Sequence, residues 1–74
     1  MNSKYPILPP KKIIKILKQF GFEQISQKGS HVKYKNINTN RIFIIPMHKE
    51  IAGGTLKSIL EQANIELVEF LKFL

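Results

Sequence analysis

The chain predicts an α+β fold in which two amphipathic helices cover one face of a three-stranded antiparallel sheet. Two segments carry apolar residues at i, i+3, i+4, i+7: Ile13, Ile16, Leu17, Phe20, and later Leu56, Ile59, Leu60, Ala63. That spacing places each set on one side of a helix. Between them lie three short runs with strand character, separated by loops too short for a parallel crossover, so the strands form an antiparallel meander. Two helical stripes need a sheet face to bury them, which leaves the opposite sheet face open. The expected order is helix, three strands, helix, short helix. At 74 residues the chain is expected to form one domain, 1–74, with a modest core that a binding partner would stabilise.

Residues 1–10 read as an arm with three prolines, of which Pro10 is tolerable in a first helical turn. The first helix is expected over Lys11–Phe20, with Ile14 widening its stripe. Lys11, Lys15 and Lys18 recur on its opposite side. They form either a solvated face or a surface for a phosphate backbone. Gly21 ends the helix in the left-handed conformation, and Phe22 closes back on the last turn. Residues 22–27 make only a weak strand, because Phe22 and Ile25 are out of phase for simple alternation. Lys28-Gly29 then gives a tight turn.

The central strand runs from Gly29 to about Asn36. Val32 and Tyr34 point one way, and His31, Lys33 and Lys35 point the other. A polar loop of good turn formers follows over 36–40. Arg41–Ile45 is a strand apolar on both faces and stopped by Pro46, so a loop or a partner is expected over its outer side. Met47–Gly53 is a loop bearing His48. Thr55 is the natural N-cap of the second helix, Asn64 its end, and Ile65–Leu74 a short apolar helix through Leu67, Phe70, Leu71 and Leu74.

Formal net charge is +7 and the sequence pI about 9.9. Eleven of the twelve Lys/Arg lie within residues 1–57, whereas three of the five carboxylates lie beyond. A basic body closed by a mildly acidic tail suits a partner rich in phosphate. There is no cysteine, hence no disulfide framework and no thiolate zinc site, and two histidines among scattered carboxylates give no dedicated metal site. No apolar run approaches the roughly 18 residues of a membrane span, and the polar N-terminus is not a signal peptide. A cytoplasmic protein without membrane contact is expected.

A histidine beside fixed cations on an open sheet face suits chemistry on a phosphodiester. Lysines hold the phosphate, and an imidazole exchanges protons near neutral pH. The same pattern also fits a plain solvated strand face. Two non-catalytic readings stay open as well: an RNA-binding module using the same lysines, and a protein-interaction module.

Four landmarks occur in order: Leu17-Lys18-Gln19-Phe20-Gly21-Phe22, Gln27-Lys28-Gly29-Ser30-His31, Ile45-Pro46-Met47-His48 and Gly54-Thr55-Leu56-Lys57-Ser58-Ile59-Leu60. Together, over about Pro6 to Leu71, they resemble HicA toxins, the small mRNA-cleaving half of HicAB toxin–antitoxin systems. The resemblance implies a double-stranded-RNA-binding-domain-like αβββα fold. It also implies metal-independent RNA cleavage with no cofactor, and makes His31 the catalytic histidine. His48 corresponds to a second family histidine, acting either as the acid for the leaving oxygen or as a loop-structuring residue. Lys33 and Lys35 would position the phosphate or stabilise its charge, with Lys28 close by and Lys11 and Lys15 as further RNA contacts. Gly29 answers a backbone need, either positive φ or close approach of RNA. Ser30 fits a turn stabiliser beside the RNA better than a nucleophile. The implied partner is a HicB-like antitoxin covering the His31 face, and nothing in the chain reads DNA directly.

Overall fold

The computed structural model describes residues 5–74. Helix α1 spans Pro10–Gln19, followed by strands β1 (Phe22–Lys28), β2 (His31–Asn36) and β3 (Ile42–Pro46), then helices α2 (Gly53–Ala63) and α3 (Leu67–Leu71). The strands form one antiparallel sheet in the order β1-β2-β3. This is the expected α+β architecture, an αβββα body with a short C-terminal helix.

Helix α1 begins with Pro9 as an extended N-cap and Pro10 in the first turn, where a missing N–H costs nothing. It buries Pro10, Ile13, Ile16 and Leu17. It ends at Phe20, and Gly21 follows with φ +102°, the left-handed conformation that lets the chain reverse into β1. The inner sheet face contributes Phe22, Val32, Tyr34, Phe43 and Ile45 to the core, and α2 contributes Leu56, Ile59, Leu60 and Ala63. Edge-on packing of Phe22 on Phe43 and stacking of Tyr34 on Phe43, both with centroids 5.1 Å apart, join the three strands across that face.

The phase break in β1 has a structural cause. The register against β2 shifts between Gln24 and Ser26, so Ile25 is the extra residue of a β-bulge. The bulge lets Phe22 face the core while Ser26 and Lys28 return to the outer face. Strand β1 is thereby longer than its alternation suggests.

The second helix also differs from expectation at its start. The Leu56 N–H donates to the Ala52 carbonyl at 2.9 Å, so the first turn opens at Gly53 and Ala52 is the N-cap. Thr55 lies inside the helix rather than capping it. Asn64 does end α2, in the left-handed conformation with φ 60°. Helix α3 is shorter than Ile65–Leu74, and Phe70 alone is buried on it. Beyond it, Phe73 packs edge-on against Phe20 with centroids 5.2 Å apart.

The proline-rich arm is tied down where it is described. Leu8 and Ile51 exchange backbone hydrogen bonds of 3.4 and 2.7 Å, and Ile51 is buried. At the far side of the sheet, Gln62 reaches the outer edge of β3, where its Oε1 accepts the Ile44 N–H at 3.1 Å. Arg41 adds hydrogen bonds to the carbonyls of Glu61 and Gln62, both 3.0 Å. Both carbonyls lie in the last turn of α2, where a cation is favoured, and that of Glu61 also accepts the Asn64 N–H at 3.1 Å. No helix among the described residues is long and apolar enough to cross a membrane.

Candidate nucleic-acid interface

Both long helices pack on the inner sheet face, so the outer face stays uncovered. Cross-strand pairing arranges that face in rows. Lys28, His31 and Pro46 form the first, Ser26, Lys33 and Ile44 the second, and Glu23, Lys35 and Ile42 the third. Alternation along β2 puts the imidazole and both ammonium groups on this side while Val32, Tyr34 and Asn36 turn inward.

Ser26, Lys28, His31, Lys33 and Ile44 line a single open depression of about 650 Å³. His31 lies at one end of β2 beside the turn, with Lys28 directly across from it and Lys33 one row along. Lys35 is in the next row, opposite Glu23, the only carboxylate in these rows. Among the described residues the one ion pair joins Lys72 to Glu69 at 3.3 Å, away from this face. The cations around His31 therefore have no acidic partner engaged.

The turn holding His31 is set by Gly29, whose φ is +60°. A Cβ added there would meet nothing within 4 Å, so the conformation, not crowding inside the fold, calls for glycine. Ser30 accepts a 2.6 Å hydrogen bond from the Met47 N–H through its carbonyl. That bond joins the residue before His31 to the residue before His48. It brings the exposed His48 loop alongside the His31 end of the sheet, while the Leu8–Ile51 pair holds the loop from its other side. No group of three or more His, Cys, Asp or Glu side chains among the described residues is arranged to hold a metal ion.

The structure thus gathers Lys28, Gly29, Ser30, His31, Lys33 and Lys35 at one surface, with His48 on the adjoining loop. It does not bring Lys11 and Lys15 there. Both are exposed on α1, in the helical layer on the other side of the sheet. Two contributors to the depression, Ser26 and Ile44, escape a reading of the sequence by motif. The bulge hides the facing of Ser26, and the apolar run of β3 conceals which of its residues face out.

Residues 10–65 match the sequence model of a family described as the HicA toxin of bacterial toxin–antitoxin systems. The chain belongs to the HicA toxin family. The matched stretch runs from the first residue of α1 to just past α2. It therefore contains the whole sheet, both covering helices and every site residue named above, and leaves α3 outside. Family membership makes this chain the toxin member of a toxin–antitoxin pair, with an antitoxin as its partner. No curated protein matches the sequence closely enough to be named as a relative.

Proposed function

We propose that this HicA toxin is one RNA-cleaving domain, a cytoplasmic, metal-independent endoribonuclease acting on mRNA with His31 as its single catalytic base. The observation that carries the reading is the open depression in which His31 stands between Lys28 and Lys33, with no carboxylate lining it. In the proposed reaction His31 takes the proton of a ribose 2′-hydroxyl. The 2′-oxygen attacks the adjacent phosphorus and the P–O5′ bond breaks. The products are a 2′,3′-cyclic phosphate and a free 5′-hydroxyl. Lys28, Lys33 and Lys35 hold the phosphate and offset the charge that accumulates on its oxygens in the transition state. The leaving 5′-oxygen is protonated by His48, whose loop adjoins the His31 turn, or by water where His48 serves instead to structure that loop. Gly29 and Ser30 shape the turn against which the RNA lies. Lys11 and Lys15, on the helical layer, contact RNA only beyond the scissile segment. DNA lacks the 2′-hydroxyl and is spared.

The antitoxin is proposed to be a HicB-like protein that covers the His31 face. That face is basic and uncovered, so an acidic partner gains charge complementarity and stabilises a small core by mass action.

The deciding experiment incubates purified protein with RNA in excess EDTA, alongside His31→Ala. Cleavage by the wild type in EDTA is expected, with none by the variant, and RNA binding is retained by both. Cleavage lost on chelation, or undiminished in His31→Ala, overturns the mechanism. Binding without cleavage in the wild type would instead identify a non-catalytic RNA-binding module.

A further inference from the structure

The outer sheet face carries two parallel columns of different chemistry. On β2 the column is His31, Lys33, Lys35. On β3, immediately beside it, the column is Pro46, Ile44, Ile42. Neighbouring strands lie about 4.8 Å apart, and alternate residues along a strand about 6.8 Å apart. Ile44 and Ile42 are 42% and 39% exposed, although every other large apolar side chain of the sheet outside the Ile25 bulge is buried. Sheet packing leaves these two isoleucines without a function, and Ile44 lines the same depression as His31.

A single-stranded nucleic acid has the complementary pattern, an anionic backbone with apolar faces of bases to one side. If phosphates follow the cationic column, the bases must fall over β1 or over β3. The β1 side presents Lys28, Ser26 and Glu23, all polar or charged, with Lys28 adding to the cations that hold phosphate, whereas the β3 side presents Pro46, Ile44 and Ile42. We infer that Pro46, Ile44 and Ile42 form a seat for the unpaired bases of the RNA segment being cleaved, with Ile44 at its centre. The inference rests on the ribonuclease reading above and adds to it a strand selectivity. A base resting on Ile44 is not available to a duplex, so the site takes single-stranded RNA and sets which way the chain lies across the sheet. Contact with an apolar side chain has no donor or acceptor pattern, so it favours bases over no bases without reading a sequence.

The test uses full-length protein carrying His31→Ala, so that binding is measured without turnover. Two RNA oligonucleotides of equal length are compared, one with its bases and one abasic but with every phosphate and 2′-hydroxyl retained. Ile44→Thr keeps the β-branch that suits a strand and removes apolar surface, and Ile44→Val keeps it apolar. Ile44→Thr is expected to weaken the base-bearing oligonucleotide about three- to ten-fold. Its affinity for the abasic one, and the salt dependence of both, should stay as in Ile44, and Ile44→Val should bind normally. Equal affinity of the Ile44 protein for the two oligonucleotides overturns the base seat. So does an equal loss for both in Ile44→Thr, which reports a disturbed fold. An unchanged affinity in Ile44→Thr overturns it too, and leaves the apolar column to a protein surface. Cleavage of the base-bearing oligonucleotide by the protein with His31 intact is followed in parallel. If that cleavage stands while the base effect is absent, the seat alone fails. If neither cleavage nor binding is found, the ribonuclease reading fails with it.

Discussion

Lys33 and Lys35 stand one and two rows from His31 on the same strand, each half-buried and on the open sheet face. Such groups hold phosphate without reading bases. Lys33→Ala and Lys35→Ala should therefore each weaken RNA binding across sequences and lower the slope of log K against log salt by about one. Titrations at several salt concentrations check this, and a changed sequence preference at constant slope would refute it. Their inward neighbour Tyr34 behaves differently. Burial pushes its phenol pKa above the ordinary value. Below about pH 10 the phenol is neutral in folded and unfolded chains alike. As pH rises past that point the unfolded chain ionises first, and stability is lost until the folded phenol ionises too. Tyr34→Phe should lose less stability than the wild type as pH rises above the ordinary phenol value of about 10, measured by urea melts. At this scale the sequence was legible where a two-residue alternation decides, as for His31, Lys33, Lys35 and Tyr34. Ser26 and Ile44 were not, because their facing depends on pairing with another strand.

Among the elements, α1 and β2 are fastened by one side chain. Asn36, buried at the end of β2, donates from Nδ2 to the Phe20 carbonyl at 2.8 Å. Its Oδ1 accepts the Asn38 and Thr39 N–H groups at 2.9 and 3.3 Å. One amide thus satisfies a helix C-terminus and shapes the loop before β3. Gly21 makes room for it, since a Cβ there would lie 3.2 Å from Asn36 Nδ2, at a φ that already disfavours side chains. Asn36→Ala should cost about 1–3 kcal/mol of stability by leaving the Phe20 carbonyl unpaired. Gly21→Ala should cost about 1 kcal/mol or more through backbone strain and crowding. Chemical denaturation of both variants tests this. If Asn36→Ala matches the wild type, the fastening role is wrong. Gly21 was readable as a helix terminator from its place after an amphipathic run. Asn36 was not, because an asparagine opening a polar loop looks like any turn former until its tertiary acceptor is known. Similarly, Thr55 has the right residue type for an N-cap, but the helix begins where Ala52 offers its carbonyl.

For the molecule as a whole, the division into a helical layer and a bare sheet face decides what binds where. The order of elements and the sharing of one sheet face by both helices followed from hydrophobic spacing alone. The positions of Lys11 and Lys15 relative to His31 required the packed structure, since a lysine stripe has the same spacing whichever layer carries it. If the antitoxin covers the His31 face, RNA and antitoxin must compete for it. Excess RNA should lower the apparent affinity of the antitoxin, and Lys33→Glu with Lys35→Glu should weaken both ligands. Competition binding with the His31→Ala toxin measures this directly. A ternary complex that forms readily, or antitoxin binding indifferent to the reversals, refutes the shared face.

The two margins of the sheet have a further consequence. Gln62 occupies one border of β3, and the bulge at Ile25 interrupts the other border along β1. Three-stranded sheets with bare margins recruit copies of themselves into ribbons. Here Gln62 takes up the Ile44 N–H on one margin and the bulge breaks the run of the other, so pairing of a second copy along either edge is disfavoured.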